Sequence, residues 1–170
     1  MGKIILEKTF IDGLYVIKPQ VNIDNRGFFC EVYNKQEMNE LGLDMDFVQD
    51  NQVISKRNVL RGLHYQKKYP QGKLIRVSYG SIYDVVIDLR KDSNTYKKCF
   101  GIELTDENCK QLYIPKGFAH GYFVMSDCAV VNYKVTDYWH SGDDVEIAWN
   151  DPEFNIEWPI KNGEKPIIDK

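Results

Sequence analysis

Val59-Leu60-Arg61-Gly62-Leu63-His64-Tyr65-Gln66 sets an arginine, a glycine and a histidine inside a run with the residue types of a buried strand. A guanidinium and an imidazole cost free energy in an apolar interior unless something pairs with them. In strict alternation Leu60, Gly62, His64 and Gln66 share one face, and Arg61, Leu63 and Tyr65 the other. A bulge at Gly62 would turn Arg61 and His64 toward one cavity. The plainer reading is a core histidine bonded to a backbone carbonyl.

Short strand signals with turns between them continue in both directions. Upstream, Gly13 to Lys18 reads as a strand ended by Pro19, and Asp24-Asn25-Arg26-Gly27 as a turn. Phe28 to Tyr33 alternates as a second strand. Asn34 to Leu41 is the best helical stretch, with Gly42 as its stop. Phe47 to Ile54 precedes the opening octet. Downstream, Lys73 to Tyr79 and Ile82 to Leu89 flank a tight turn at Gly80-Ser81. In the second of these, Asp84 is a mid-strand carboxylate, which implies a polar cavity or a solvated face. Leu112 to Pro115, Tyr122 to Met125, Val130 to Val135 and Val145 to Trp149 follow, and Gly117-Phe118-Ala119-His120-Gly121 reads as a glycine-rich turn.

Many short strands with one or two short helices predict an all-β sandwich or barrel. No long helices alternate with the strands, which argues against a doubly wound sheet. The length of 170 residues predicts one domain spanning 1–170. A net charge of −3 gives no global attraction for nucleic acid or an anionic membrane. No apolar run approaches the roughly 20 residues of a membrane helix, and Ile4-Ile5-Leu6 is too short for a signal peptide. Cys30, Cys99, Cys109 and Cys128 form no CxxC pair, which suits free thiols in a reducing cytoplasm.

The three histidines, His64, His120 and His140, are widely spaced. Metal-binding barrels of the cupin type carry an HxH pair. Here Gly62 and Gln66 flank His64, so neither side completes one, and no metal or other cofactor is expected. Arg61 and Lys73 stand among apolar or small neighbours. A bidentate arginine with a lysine suits phosphate or pyrophosphate.

Motifs recur in order along residues 10–160: Asp24-Asn25-Arg26-Gly27-Phe28-Phe29 through Glu31, then Phe47-Val48-Gln49-Asp50-Asn51, then Asn58 through Gln66 with Gln71-Gly72-Lys73-Leu74. Asp84 through Arg90, Tyr113 through Gly121, Tyr133-Lys134, and Trp149-Asn150-Asp151-Pro152 to Trp158-Pro159 complete them. In these motifs and their order the chain resembles the dTDP-4-dehydrorhamnose 3,5-epimerase family.

The resemblance implies a metal-free cupin jelly roll, a homodimer, and inversion of C3 and C5 in a dTDP-linked 4-keto-6-deoxyhexose. It makes His64 the base, Tyr133 the acid and Lys73 the cation near O4. Gln49, Asp50, Asn51 and Arg61 would hold the ligand, with Arg26 and Glu31 reaching it from the partner subunit. His120, Tyr138, Trp139 and Asp144 match further ligand positions, with Trp139 standing where many relatives carry Tyr and Asp144 where Glu is common. An aspartate near the C-terminus orients the base in the family. Asp169 is the candidate, with Lys170 as a ligand lysine and Asp84 as the alternative partner of His64. Two other readings stay open: a 3-epimerase that inverts one centre, and a catalytically silent nucleotide-sugar binder.

Overall fold

The computed structural model describes residues 3–161 and 163–169; Lys170, a candidate ligand residue, lies outside them. The chain forms a jelly-roll-like β-sandwich with one short helix. The larger sheet has the order β1-β2-β10-β7-β12-β5 and the smaller β13-β6-β11-β8-β9, with all pairings antiparallel. In the larger sheet these strands are β1 (Ile4–Lys8), β2 (Tyr15–Pro19), β5 (Gln49–Lys56), β7 (Lys73–Tyr79), β10 (Gln111–Ile114) and β12 (Cys128–Val135). In the smaller they are β6 (Leu60–Gln66), β8 (Ser81–Asp88), β9 (Cys99–Thr105), β11 (Phe118–Val124) and β13 (Asp144–Glu146). A separate two-stranded ribbon, β3 (Val21–Asp24) with β4 (Gly27–Cys30), projects with Ile23, Phe28 and Phe29 exposed.

The alternation of apolar residues builds three clusters. Between the sheets, Ile75, Val77 and Val131 of one meet Ile82, Val86 and Tyr122 of the other. Outside the larger sheet, Ile17 and Leu74 are covered by Met38 of the helix α1 (Lys35–Glu40) and by Leu43 and Met45. Asn34 caps that helix by accepting the Glu37 amide at 3.2 Å. Outside the smaller sheet, Leu63, Val85 and Ile87 lie under Ile147, Phe154, Ile156 and Trp158. The middle strands of the smaller sheet are therefore covered on both faces, which explains why β8 and β11 read as nearly continuous apolar runs.

The sequence expectations differ from this structure in places. Residues 118–121, expected in a turn, are fully strand-paired in β11 against β8, and only Gly117 keeps a turn-like φ of +90°. The glycine in Ala119-His120-Gly121 is needed for packing: a Cβ on Gly121 would lie 2.6 Å from the Arg61 carbonyl oxygen. Strands β1 and β9 carry weaker alternation and were not expected. The stretch Phe28 to Tyr33 pairs only as far as Cys30.

Candidate active site

The opening octet becomes β6, and its irregularity decides the site. Across β11, Tyr122 pairs with Arg61 and His120 with His64, so β6 carries one more residue than its partner over this interval. That is the bulge expected at Gly62, whose φ is +84°. A Cβ there would run into the His120 carbonyl oxygen, and would lie 2.9 Å from Gly121 Cα and 3.0 Å from His64 Nδ1. The extra residue lets Leu60 and Leu63 both be buried while His64 turns into the space between the sheets.

That space is a cavity of about 380 Å³ with walls from both sheets. The larger sheet contributes Gln49 and Asn51 from β5, Lys73 from β7 and Tyr133 from β12, and Tyr133 is the register partner of both Asn51 and Ile75. The smaller sheet contributes His64. Trp139 and Asp144 come from the segment leading into β13 and at its start. The indole Nε1 donates to Asp144 Oδ2 at 2.9 Å, and the Trp139 amide donates to Gln49 Oε1 at 3.2 Å. Seven of the residues selected from the sequence thus converge on one volume.

Electrostatics divides their roles. Burial, reinforced by the charges of Lys73 and Arg61 and by His120, pushes the His64 imidazole down to about 3. The ring is neutral at neutral pH and free to accept a proton. Burial also lowers Lys73, 7% exposed, to about 8, while Asp84 and Asp144 hold it up. It remains an ammonium at neutral pH. Burial raises the Tyr133 phenol above its ordinary value despite the opposing charge of Arg61. It stays protonated at neutral pH.

Other expected residues lie elsewhere. Asp50 alternates onto the opposite face from Gln49 and Asn51 and pairs with Lys134 at 2.7 Å, so it does not line the cavity. Arg61, expected to turn into the same cavity as His64, is not among its lining residues; it donates through Nε to Ser55 Oγ at 2.9 Å, close enough for its charge to act on His64 and Tyr133. His120 is buried, its ring centroid 6.4 Å from that of His64. Asp84 is not the partner of His64: its Oδ2 meets His120 Nε2 at 2.8 Å, because β8 and β11 are neighbours. Asp169 is exposed beyond Ile167, whose amide and carbonyl bond to Asn58 O (2.7 Å) and Leu60 N (2.9 Å). The C-terminal segment therefore runs beside the start of β6. Tyr138 is exposed, and Glu31 accepts from Asn34 at 2.7 Å. Arg26 sits at the tip of the β3–β4 ribbon, bonded to Asp24 and away from this chain's own cavity lining.

Two cavity residues were missed. Gln66 donates to the His140 carbonyl at 2.8 Å and accepts the His140 amide at 3.1 Å. Gln71 donates to the Asp137 carbonyl at 2.8 Å. Together they pin the loop that carries Trp139. Both stand within quoted motifs, but neutral amides give no signal of chemistry in a sequence. Among the described residues no group of three or more His, Cys, Asp or Glu is arranged to hold a metal ion.

A double-sheet barrel of this kind, with a neutral imidazole, a protonated phenol and a buried ammonium around one polar cavity, is a cupin-type fold equipped for proton transfer. The family model for dTDP-4-dehydrorhamnose 3,5-epimerase matches residues 8–170. The dTDP-4-dehydrorhamnose 3,5-epimerase of Methanothermobacter thermautotrophicus is 48% identical over 161 residues, covering 95% of this chain and 87% of the relative. A dTDP-6-deoxy-D-glucose-3,5-epimerase of Legionella pneumophila, solved in complex with dTDP-4-keto-L-rhamnose, superposes with a TM-score of 0.93 at 42% identity. That match covers 98% of this chain and 88% of that one. The Bacillus anthracis dTDP-4-dehydrorhamnose 3,5-epimerase, solved with TDP and PPi bound, gives a TM-score of 0.93 at 42% identity, with 98% and 94% covered. This chain belongs to the dTDP-4-dehydrorhamnose 3,5-epimerase family.

Proposed function

We propose that the chain inverts C3 and C5 of dTDP-4-dehydro-6-deoxy-D-glucose to give dTDP-4-dehydro-L-rhamnose, a step of dTDP-L-rhamnose biosynthesis. The observation that carries this reading is the placement of His64 and Tyr133 on opposite sheets of one cavity that also holds Lys73. Inversion needs a proton lost from one face of the sugar and gained on the other. His64 takes the proton from the carbon next to the ketone, and the C–H electron pair moves into an enolate. Lys73 stabilises the oxygen that becomes negative. The Tyr133 hydroxyl protonates the carbon from the far side, and solvent restores both groups before the second centre reacts. Asp169, carried beside β6, is the acid we assign to orient His64. Gln49, Asn51, Arg61 and Asp144 hold the ligand, and Trp139 stacks on the thymine.

The active species in this reading is a cytoplasmic homodimer. Its support is the exposed ribbon, where Ile23 is 81%, Phe28 60% and Phe29 64% accessible around Arg26. Apolar surface of that kind favours a second copy as its cover, and would carry Arg26 and Glu31 toward the partner's cavity. No helix among the described residues is long and apolar enough to cross a membrane.

The test follows dTDP-4-keto-6-deoxyglucose by NMR in D₂O. Deuterium at C3 and C5 is the expected result. Deuterium at C3 alone means a 3-epimerase, and at neither a binding protein. His64→Ala should lose exchange and inversion together, by about 10²–10⁴-fold. Tyr133→Phe should lose inversion far more than exchange, because His64 still forms the enolate. Exchange retained by His64→Ala would overturn the assigned roles.

A further inference from the structure

Trp139 is held at two ends, by a different sheet at each. Its amide donates to Gln49 Oε1 at 3.2 Å, and Gln49 Nε2 donates in turn to Asn51 Oδ1 at 2.9 Å, so the backbone is anchored to β5 of the larger sheet. Its indole Nε1 donates to Oδ2 of Asp144, the first residue of β13 in the smaller sheet, at 2.9 Å. Residue 139 therefore bridges the two sheets beside the cavity that both it and Asp144 line. Trp139 is 56% exposed. With more than half of its surface in solvent, packing does little to choose its rotamer, and the hydrogen bond at each end takes over that task.

Asp144 is fixed in its turn. It is the register partner of Gln66, whose Nε2 reaches Asp144 Oδ1 at 3.4 Å. Gln66 also bonds the carbonyl and the amide of His140, the residue after Trp139. Each carboxylate oxygen of Asp144 thus has a donor from the protein itself. Two residues further along β13, Glu146 is paired with His64, so the strand that holds the indole also lies against the strand of the base. Trp139 for Tyr and Asp144 for Glu, two departures from the family pattern, meet in one bond: a longer ring against a shorter acid.

We propose that Asp144 is a positioning residue for the nucleotide base: its carboxylate fixes the plane of the Trp139 indole, and it holds the ligand through that ring rather than by touching it. The inference rests on the reading of Trp139 as the base-stacking residue. Charge favours the indirect role. A carboxylate in contact with a diphosphate ligand is repelled by it, whereas one that accepts an indole N–H makes a charge-assisted hydrogen bond. Entropy favours it too. A ring already set in its stacking orientation loses less rotamer freedom when a base arrives, and the saving appears as affinity.

The affinity of the full chain for dTDP is measured by calorimetry through a double-mutant cycle. Asp144→Ala should weaken binding about threefold or more, the scale of one hydrogen bond. Asp144→Asn keeps an acceptor oxygen and should lose less. Trp139→Phe keeps a ring but has no N–H, and in that background Asp144→Ala should cost nothing further. In nitrogen–proton correlation spectra, Asp144→Ala should move the Trp139 Nε1–H resonance. The resonance of Trp158, whose Nε1 donates to the Trp149 carbonyl at 2.8 Å, should stay in place. If Asp144→Ala costs as much in the Trp139→Phe background as in the unaltered chain, Asp144 touches the ligand directly and the proposal is overturned. An unchanged affinity in Asp144→Ala, an equal loss in Asp144→Asn, or an unmoved Trp139 resonance overturns it as well. The reading beneath it is tested apart. Trp139→Ala with an unchanged Kd refutes the stacking itself, whereas weakened binding there with additive costs in the cycle refutes only the role of Asp144.

Discussion

Gly62→Ala is the smallest change that tests how the fold places the base. Gly62 has a φ of +84°, in the left-handed region where an L residue is strained. That strain is worth about 1–3 kcal/mol. The added methyl also has no room: it meets the His120 carbonyl, Gly121 Cα at 2.9 Å and His64 Nδ1 at 3.0 Å. Two of these three atoms belong to backbone that β8 and β6 hold on both sides, so the neighbours yield little. Overpacking at such a place costs about 1–3 kcal/mol. The sum, about 2–6 kcal/mol, is a large part of the roughly 5–15 kcal/mol that holds a domain folded. Whatever relaxation occurs must push β6 from β11 or rotate His64. A displacement of about 1 Å at a reacting group can cost about 10²-fold. Urea unfolding should show a lower midpoint with an unchanged slope. For the fraction still folded, kcat should fall about 10²-fold while the Kd for dTDP stays near that of the unaltered chain. A variant within about 0.5 kcal/mol in stability and with full turnover would refute the role given to the bulge.

Trp139→Ala should weaken dTDP binding about tenfold or more, on the scale of base–aromatic stacking; equilibrium dialysis that finds an unchanged Kd, with lowered stability, would make the indole a packing residue. Lys73 has its folded pKa depressed to about 8, so its charge is lost as pH rises through that value. The alkaline limb of kcat/KM should lie near there, and Lys73→Arg, which keeps its charge, should move the limb upward if it turns over at all; an unmoved limb would assign it to another group. Mixing Arg26→Ala with His64→Ala subunits should restore activity through heterodimers, and sedimentation should find a dimer. A fully active monomer would count against the shared site.

Alternation and turn residues made the strands legible: Lys73–Tyr79 is a strand over its whole expected length, and the helix falls inside the stretch expected from Asn34 to Leu41. The glycines at 117 and 121 misled, because Gly121 is a close-packing residue within a strand, and local sequence does not distinguish that from a turn. The cavity was legible wherever a charge or an imidazole stood among apolar neighbours, as with His64 and Lys73. Asp50 was not separable from Gln49 and Asn51 by motif, although period-two alternation alone sends it to the other face. The pairing of Asp84 with His120 depends on which strands are neighbours, a non-local fact that strand signals do not carry. Gln66 and Gln71 act by fixing a loop through its backbone, and their role exists only once that loop has been folded against them.

The shifts on His64 and Lys73 share a cause and, under the proposed mechanism, bound the pH range of turnover. Both groups are cationic when protonated, both are desolvated, and the charge of Lys73 raises the cost of charging His64. Lys73 has Asp84 and Asp144 to offset the cost, whereas the charged neighbours acting on His64 are Lys73 and Arg61, both cations. The cavity therefore resolves the competition in favour of a charged lysine and a neutral histidine from about 3 to about 8. Because the His64 pKa is depressed, the neutral form that the proposed base needs survives as pH falls through the ordinary value of about 6.5. The acid limb of kcat/KM, which reports the free enzyme, should accordingly lie well below pH 6.5. A bound sugar nucleotide brings a diphosphate, whose negative charge stabilises a nearby imidazolium. The acid limb of kcat, which reports the occupied site, should therefore lie at higher pH than that of kcat/KM. Measuring both profiles with stability controls checks the sign. Limbs in the opposite order, or a free-enzyme limb at pH 6.5 or above, would mean that burial and the surrounding cations do not govern the base.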